Sequence, residues 1–299
     1  MDCGEDKSMW RFLKNLRKQA PRKIGLALSG GGMRGLAHIG VLKALEREQI
    51  TIDCLAGTSM GGLVAAGYAA GLSPEFLEQE ALRMSSLRRI LALADPSLPR
   101  RGILGGQKVR QYLIGHIGDR TFEDLELPLA LVTVDLNSGH KVILRQGLVA
   151  DAVRATGALP GLFTPVEWGD QLLVDGGLLD NLPADVARSL GADVVIAVDV
   201  SSDEQAASYL TQTLHRSRYV PNTLVDTLEV LYRSMGIVMT EINRQRLAEA
   251  QPEIIIRPAI PRGVTTLTGL SHTAETIAAG EEAAIEALPR IRELLASHI

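Results

Sequence analysis

The chain has 299 residues, long for one average domain and short for two large ones, so a single large α/β domain is the leading expectation. Its 46% hydrophobic and 22% charged residues describe a globular protein with an aliphatic core, and a net charge of −4 argues against nucleic acid as a partner. Cys3 and Cys54 give neither a disulfide framework nor metal-ligand spacing, no apolar run reaches the roughly 18 residues of a membrane span, and the N-terminus lacks a secretory h-region. A cytoplasmic protein is expected.

Residues 1–23 hold seven Lys or Arg against three acids, leaving the remainder at −8. Met9, Leu13, Leu16 and Ala20 recur at helical spacing beside Trp10 and Phe12, with Arg11, Lys14, Arg17 and Lys18 between them. This predicts a short amphipathic helix, either packed on the domain or making peripheral membrane contact through residues 9–20. After Pro21, short apolar runs alternate with longer amphipathic ones, the pattern of strands joined by crossover helices. Lys23–Ser29 reads as a strand, followed by a glycine cluster and a helix over about residues 35–48. Ile50–Ala56 reads as a second strand, followed by a second glycine turn and a helix from Met60 to Ala70. Leu129–Leu136 and Lys141–Leu144 predict a hairpin around Asn137-Ser138-Gly139. Strands follow at Gln171–Asp175, Asp193–Val200 and Glu253–Arg257, and helices near 183–190, over 222–249 and from Ala274 to Ser297. Three parts result: the basic segment 1–23, a core unit 24–200, and a mainly helical extension 201–299 packed on the same domain.

Gly30, Gly32 and Gly35 match the dinucleotide fingerprint G-x-G-x-x-G between a strand and a helix. That reading wants an acid where the second strand ends, whereas Asp53 lies within the strand as predicted. The same loop can aim backbone N–H groups at a developing negative charge, or be a plain tight turn. Gly57 to Gly61 spell G-x-S-x-G directly after a strand and before a helix, where a strained turn presents the Ser59 hydroxyl above a sheet edge. Serine needs a base. His38 sits among Leu36, Ala37, Ile39 and Val41 and reads as a packed helix residue, while His215 and His272 follow Asp175 in the order Ser, Asp, His, so a triad stays open. Asp175 ends a strand before Gly176 and Gly177 and could meet the serine from a neighbouring strand end; a turn aspartate is the plainer alternative.

Taken in order, GGGMRG, GTSMG and Asp175-Gly176-Gly177, with the stretch Ala155–Val166 ahead of the last, resemble the patatin-like phospholipase family over roughly residues 24–200. The resemblance implies a three-layer α/β/α fold with a mainly parallel central sheet. It further implies a serine acyl hydrolase that pairs Ser59 as nucleophile with Asp175 as base. The amides of Gly31, Gly32 and Met33 would form the oxyanion hole, Gly57 and Gly61 the flanks of the elbow, and Gly30, Arg34, Gly35, Gly176 and Gly177 its support. No metal or organic cofactor is required by that chemistry. Fatty acyl esters of (lyso)phospholipids or related lipids are the implied substrates. A soluble carboxylesterase or thioesterase, or a low-turnover lipid-binding regulatory protein, would carry the same motifs. Leu159, Pro160, Leu162, Phe163 and the helices around residues 72–95 are candidates for an acyl groove.

Overall fold

The computed structural model describes residues 22–93, 95, 104–201, 222–266 and 268–296. The predicted helix at 9–20, His215 and His298 lie outside the described residues. Among the described residues, eight strands form one sheet: β1 (Ile24–Leu28), β2 (Cys54–Thr58), β3 (Leu129–Asp135), β4 (Lys141–Leu144), β5 (Val166–Trp168), β6 (Gln171–Asp175), β7 (Val194–Val198) and β8 (Ile254–Ile256). The pairings β3-β2, β2-β1, β1-β7 and β7-β8 are parallel, and β4, β6 and β5 join by antiparallel pairings.

Alternation along the strands sends large side chains to one face and small ones to the other. Leu26, Leu28, Leu55, Leu131, Ile196 and Val198 pack under α1 (Ala37–Arg47), α2 (Ser59–Ala69), α6 (Val149–Thr156) and α9 (Thr273–Ala296). Ala27, Cys54, Ala56, Ala130 and Ala197 form a flat opposite face that lets the short α7 (Ala184–Ser189) lie close. The end of α8 (Asn222–Ala250) packs there through Leu247 and Ala250. These are the three layers of an α/β/α fold. The C-terminal residues are part of it, with β8 extending the sheet beside β7 and Ile277, Ala284 and Ile291 of α9 in the core.

Two boundaries differ from expectation. The second strand begins at Cys54 rather than Ile50 and continues through Gly57 and Thr58. Asp53 is used before it, accepting a hydrogen bond from the Ile24 amide at 2.7 Å, so the chain is tied to the start of β1 before pairing begins. The helix expected from residue 35 starts earlier, as a 3₁₀ turn over Gly32–Leu36 that runs into α1.

The register around β3 decides what meets what. β4 pairs with Leu131–Val134 of β3, overlapping both the β2 contact at Leu129–Val132 and the β6 contact at Thr133–Asp135. A strand has two edges, so β2 and β6 share the edge opposite β4 and abut end to end. Thr58 stands beside Val132 and Asp175 beside Thr133, the next residue.

Candidate active site

Ser59 follows the last residue of β2 and is the first residue of α2, with φ +52°, a left-handed conformation rare for a side chain bearing Cβ. Such a residue costs about 1–2 kcal/mol and persists only where its surroundings fix it. They do so at three points. The Ser59 amide donates to the Thr156 hydroxyl at 2.9 Å, and that hydroxyl donates to the Val132 carbonyl at 2.5 Å. A Cβ at Gly61 would stand 2.4 Å from the Leu28 carbonyl oxygen, and one at Gly57 would stand 2.6 Å from the Gly62 Cα. The flanking glycines of G-x-S-x-G are therefore demanded by backbone passing over backbone.

The Asp175 side chain is buried, at 6% exposure, accepts a hydrogen bond from the Gly177 amide at 2.8 Å, and has the Ser59 side chain close enough to pull its pKa down. Burial raises its pKa to about 6, and the Ser59 side chain and the Gly177 amide pull in the opposite direction. The result is a carboxylate that is ionised at neutral pH yet a stronger base than a surface aspartate. A Cβ at Gly176 would lie 2.3 Å from the Val132 carbonyl oxygen, so the chain can leave β6 at that point only through glycine.

The described histidines do not reach this pair. His38 is fully buried and its pKa is lowered to about 4 by burial; as the neutral ring its Nε2–H donates to the Ser29 carbonyl at 2.8 Å. It anchors the end of β1, as a packed residue would. His272 is half-buried and contacts Glu275 at 2.7 Å, and His116 bonds the Tyr112 carbonyl at 2.7 Å.

The glycine loop faces the serine. A Cβ on Gly30 would be 3.2 Å from the Ser59 Cβ, and one on Gly35 would be 2.5 Å from the Met60 side chain. Gly32 adopts φ +56°, and a Cβ there would sit 2.0 Å from the Thr266 carbonyl oxygen. Among the described residues the Gly31 and Gly32 amides make no hydrogen bond, whereas Met33, expected as a third free donor, turns its amide to the Thr266 carbonyl at 3.3 Å. A stretch more than 200 residues downstream thus occupies a position that local sequence left open. Arg34 holds the loop to the same region, donating to the carbonyls of Val200 (2.8 Å), Ser201 (3.1 Å) and Val264 (3.4 Å).

Sequence reasoning missed Asn181. Its carbonyl accepts the Gly30 amide at 3.0 Å and its Nδ2 donates to the Gly30 carbonyl at 3.2 Å, clamping the mouth of the glycine loop to the chain that leaves Asp175. The Thr58 hydroxyl adds a bond to the Asp180 carbonyl at 3.0 Å, and the Arg246 Nε and Asn243 Oδ1 of α8 hold Leu179 and Leu182 at 2.5 and 3.1 Å. The one signal available was the position of an asparagine six residues beyond Asp175. The nucleotide reading of the glycine loop loses its acidic partner, since Asp53 binds at the start of β1 and the loop leaves its end. Among the described residues there is no cluster of metal-ligating side chains, and no helix is long and apolar enough to cross a membrane.

A profile of the patatin-like phospholipase family matches residues 26–188. An uncharacterized NTE family protein of Mycobacterium tuberculosis is 38% identical over 189 residues, covering 63% of this chain and 52% of that protein. Patatin-like phospholipase domain-containing protein 6 of Mus musculus is 38% identical over 198 residues, 65% of this chain and 15% of that protein. The chain therefore spans about half the length of the mycobacterial relative and a small part of the mouse one. Among solved structures, VipD from Legionella pneumophila aligns over 90% of this chain and 67% of its own, with TM-score 0.48 and 12% identity. The heterodimeric ExoU-SpcU complex of Pseudomonas aeruginosa aligns over 90% and 52%, with TM-score 0.45 and 18% identity. With the profile spanning more than half of its length, the chain belongs to the patatin-like phospholipase family.

Proposed function

We propose that the chain is a serine acyl hydrolase that cleaves fatty acyl esters of (lyso)phospholipids or related lipids, with Ser59 as nucleophile and Asp175 as its base. The observation that carries this reading is the placement of Ser59, at abutting strand ends, beside a buried carboxylate whose pKa is raised to about 6. Ser59 Oγ attacks the ester carbonyl carbon as its proton passes to Asp175, and the carbonyl π electrons move onto oxygen. The free amides of Gly31 and Gly32 are the donors available to that oxyanion, a contribution of about 3 kcal/mol for each well-aimed one. Collapse of the tetrahedral species expels the alcohol, protonated by Asp175, and leaves an acyl-serine. Water, deprotonated by the same carboxylate, then releases the fatty acid and restores the hydroxyl.

The test is hydrolysis of a panel of phospholipids, lysophospholipids and short acyl esters by the wild type and by Ser59→Ala. Lipid esters cleaved by the first and not the second support the reading. Turnover of short soluble esters alone would make it a soluble esterase, and no turnover of any ester would leave a lipid-binding role.

A further inference from the structure

We propose that a second site, an arginine-lined groove on the helices after α2, docks the protein on an anionic lipid surface. The inference rests on the lipid-hydrolase reading for its purpose but on separate residues for its chemistry. Between Arg83 and Ala94 the sequence has three arginines and no acid, in a chain whose net charge is −4. In the fold these arginines converge. Arg83, Arg88 and Arg89 line a groove of about 570 Å³ together with Ser85, Ser86 and Leu82, formed by the end of α3 (Pro74–Met84) and by α4 (Leu87–Ala92). Glu80 pairs with Arg83, so the groove retains two arginines in excess, and Arg89 Nη1 donates to the Arg83 carbonyl at 2.5 Å, which draws the pair together. Leu82 is 41% exposed on the same wall, an apolar side chain that an interface of headgroups and acyl chains would cover.

A chain of contacts connects the groove to the Ser59 turn. The Phe76 ring lies against His116 at the far end of α5 (Gln107–Ile117), Tyr112 bonds Glu80 midway, and Lys108 Nζ reaches the Ala92 carbonyl at 3.0 Å. The α3–α4 segment therefore climbs antiparallel to α5. The start of α5 is beside Arg154, where a Cβ on Gly106 would lie 3.4 Å from its side chain, and α6 ends at Thr156, which holds the Ser59 amide. The arginines are thus linked, contact by contact, to the end of α2 at which Ser59 lies. The arginines of these helices fit phosphate headgroups.

The experiment is co-sedimentation of the full chain with vesicles of phosphatidylcholine alone or mixed with phosphatidylglycerol, using wild type, Arg88→Glu/Arg89→Glu and Arg88→Gln/Arg89→Gln. Each basic residue near an anionic surface strengthens binding severalfold, so the charge-reversed protein should bind the mixed vesicles at least about tenfold more weakly, and the neutral variant by an intermediate factor. Hydrolysis of a short water-soluble ester should be unchanged in both, which also reports that they fold. Equal binding of wild type to both kinds of vesicle, or unchanged binding of the folded variants, would overturn the proposal, as would retention on a DNA oligonucleotide without retention on vesicles. Ser59→Ala should bind like wild type; failure of the hydrolase reading would appear as absent turnover with the vesicle difference intact.

Discussion

Ser59 and Asp175 meet because Thr58, the residue before Ser59, and Asp175 end two strands that abut on one edge of β3, Thr58 beside Val132 and Asp175 beside Thr133. Neither residue needs a long loop to find the other. The Val132–Thr133 backbone is the ruler, and Thr156 fixes the serine to it through the Val132 carbonyl. Thr156→Val keeps the shape and removes the hydroxyl, leaving the Ser59 amide and the Val132 carbonyl unpaired. The expected cost is about 1–3 kcal/mol of stability by denaturant unfolding. Esterase kcat should fall by at least tenfold with little change in KM, and Thr156→Ser should restore most of both.

The pH dependence follows from the raised pKa of Asp175. The base is needed ionised, so kcat/KM for a soluble ester should rise with pH through about 6 and level off above it. Stability runs the other way. A carboxyl whose folded pKa is raised from 3.8 to about 6 contributes stability that is fully present below the unfolded value and lost as pH rises through the folded one. Asp175→Asn removes the charge, so it should be more stable than wild type at pH 8, on the order of 1–3 kcal/mol, and nearly equal to it at pH 4. Urea unfolding of both proteins at the two pH values checks this. A constant difference would contradict it.

Asn181 is expected to act through the glycine loop. Asn181→Ala deletes the bond to the Gly30 carbonyl while leaving the backbone bond between the two residues. Turnover should drop about tenfold, the equivalent of ~1.4 kcal/mol of barrier, with KM nearly unchanged. Asn181→Asp should not rescue it, because a carboxylate cannot donate to that carbonyl. Steady-state kinetics of the three proteins decide the matter.

The histidines should be dispensable for chemistry. His272→Gln and His215→Gln should each retain activity within about twofold of wild type, the scale of an indirect effect. A loss of a hundredfold or more in either folded variant, measured on the same soluble ester, would replace the two-residue site by a triad.

Much of this was legible in the sequence, and the limits are physical. Apolar runs of four to eight residues followed by glycine and an amphipathic stretch mark strand, turn and helix locally, so β1, the β3–β4 hairpin and the serine turn were placed from their own residues. What escaped were relations set by register and by distant chain. Ile50 and Ile52 look like strand, yet they are buried while approaching β1, and pairing starts only at Cys54. That β2 and β6 share an edge depends on how β4 overlaps both, which no local pattern carries. Met33 loses its free amide to Thr266, and Gly30 is clamped by Asn181, contacts across more than 140 residues. The helices around residues 72–95, read only as candidates for an acyl groove, gave no warning that three of their arginines share one groove.

The measurement that bears most directly on the Ser59–Asp175 pairing is intact-protein mass spectrometry, with peptide mapping, during reaction with a fluorophosphonate. The pairing predicts a single adduct on Ser59, formed at least about a hundredfold more slowly in folded Asp175→Asn because the hydroxyl has lost its base. An adduct on another residue, or labelling of Ser59 at the wild-type rate in Asp175→Asn, would contradict it.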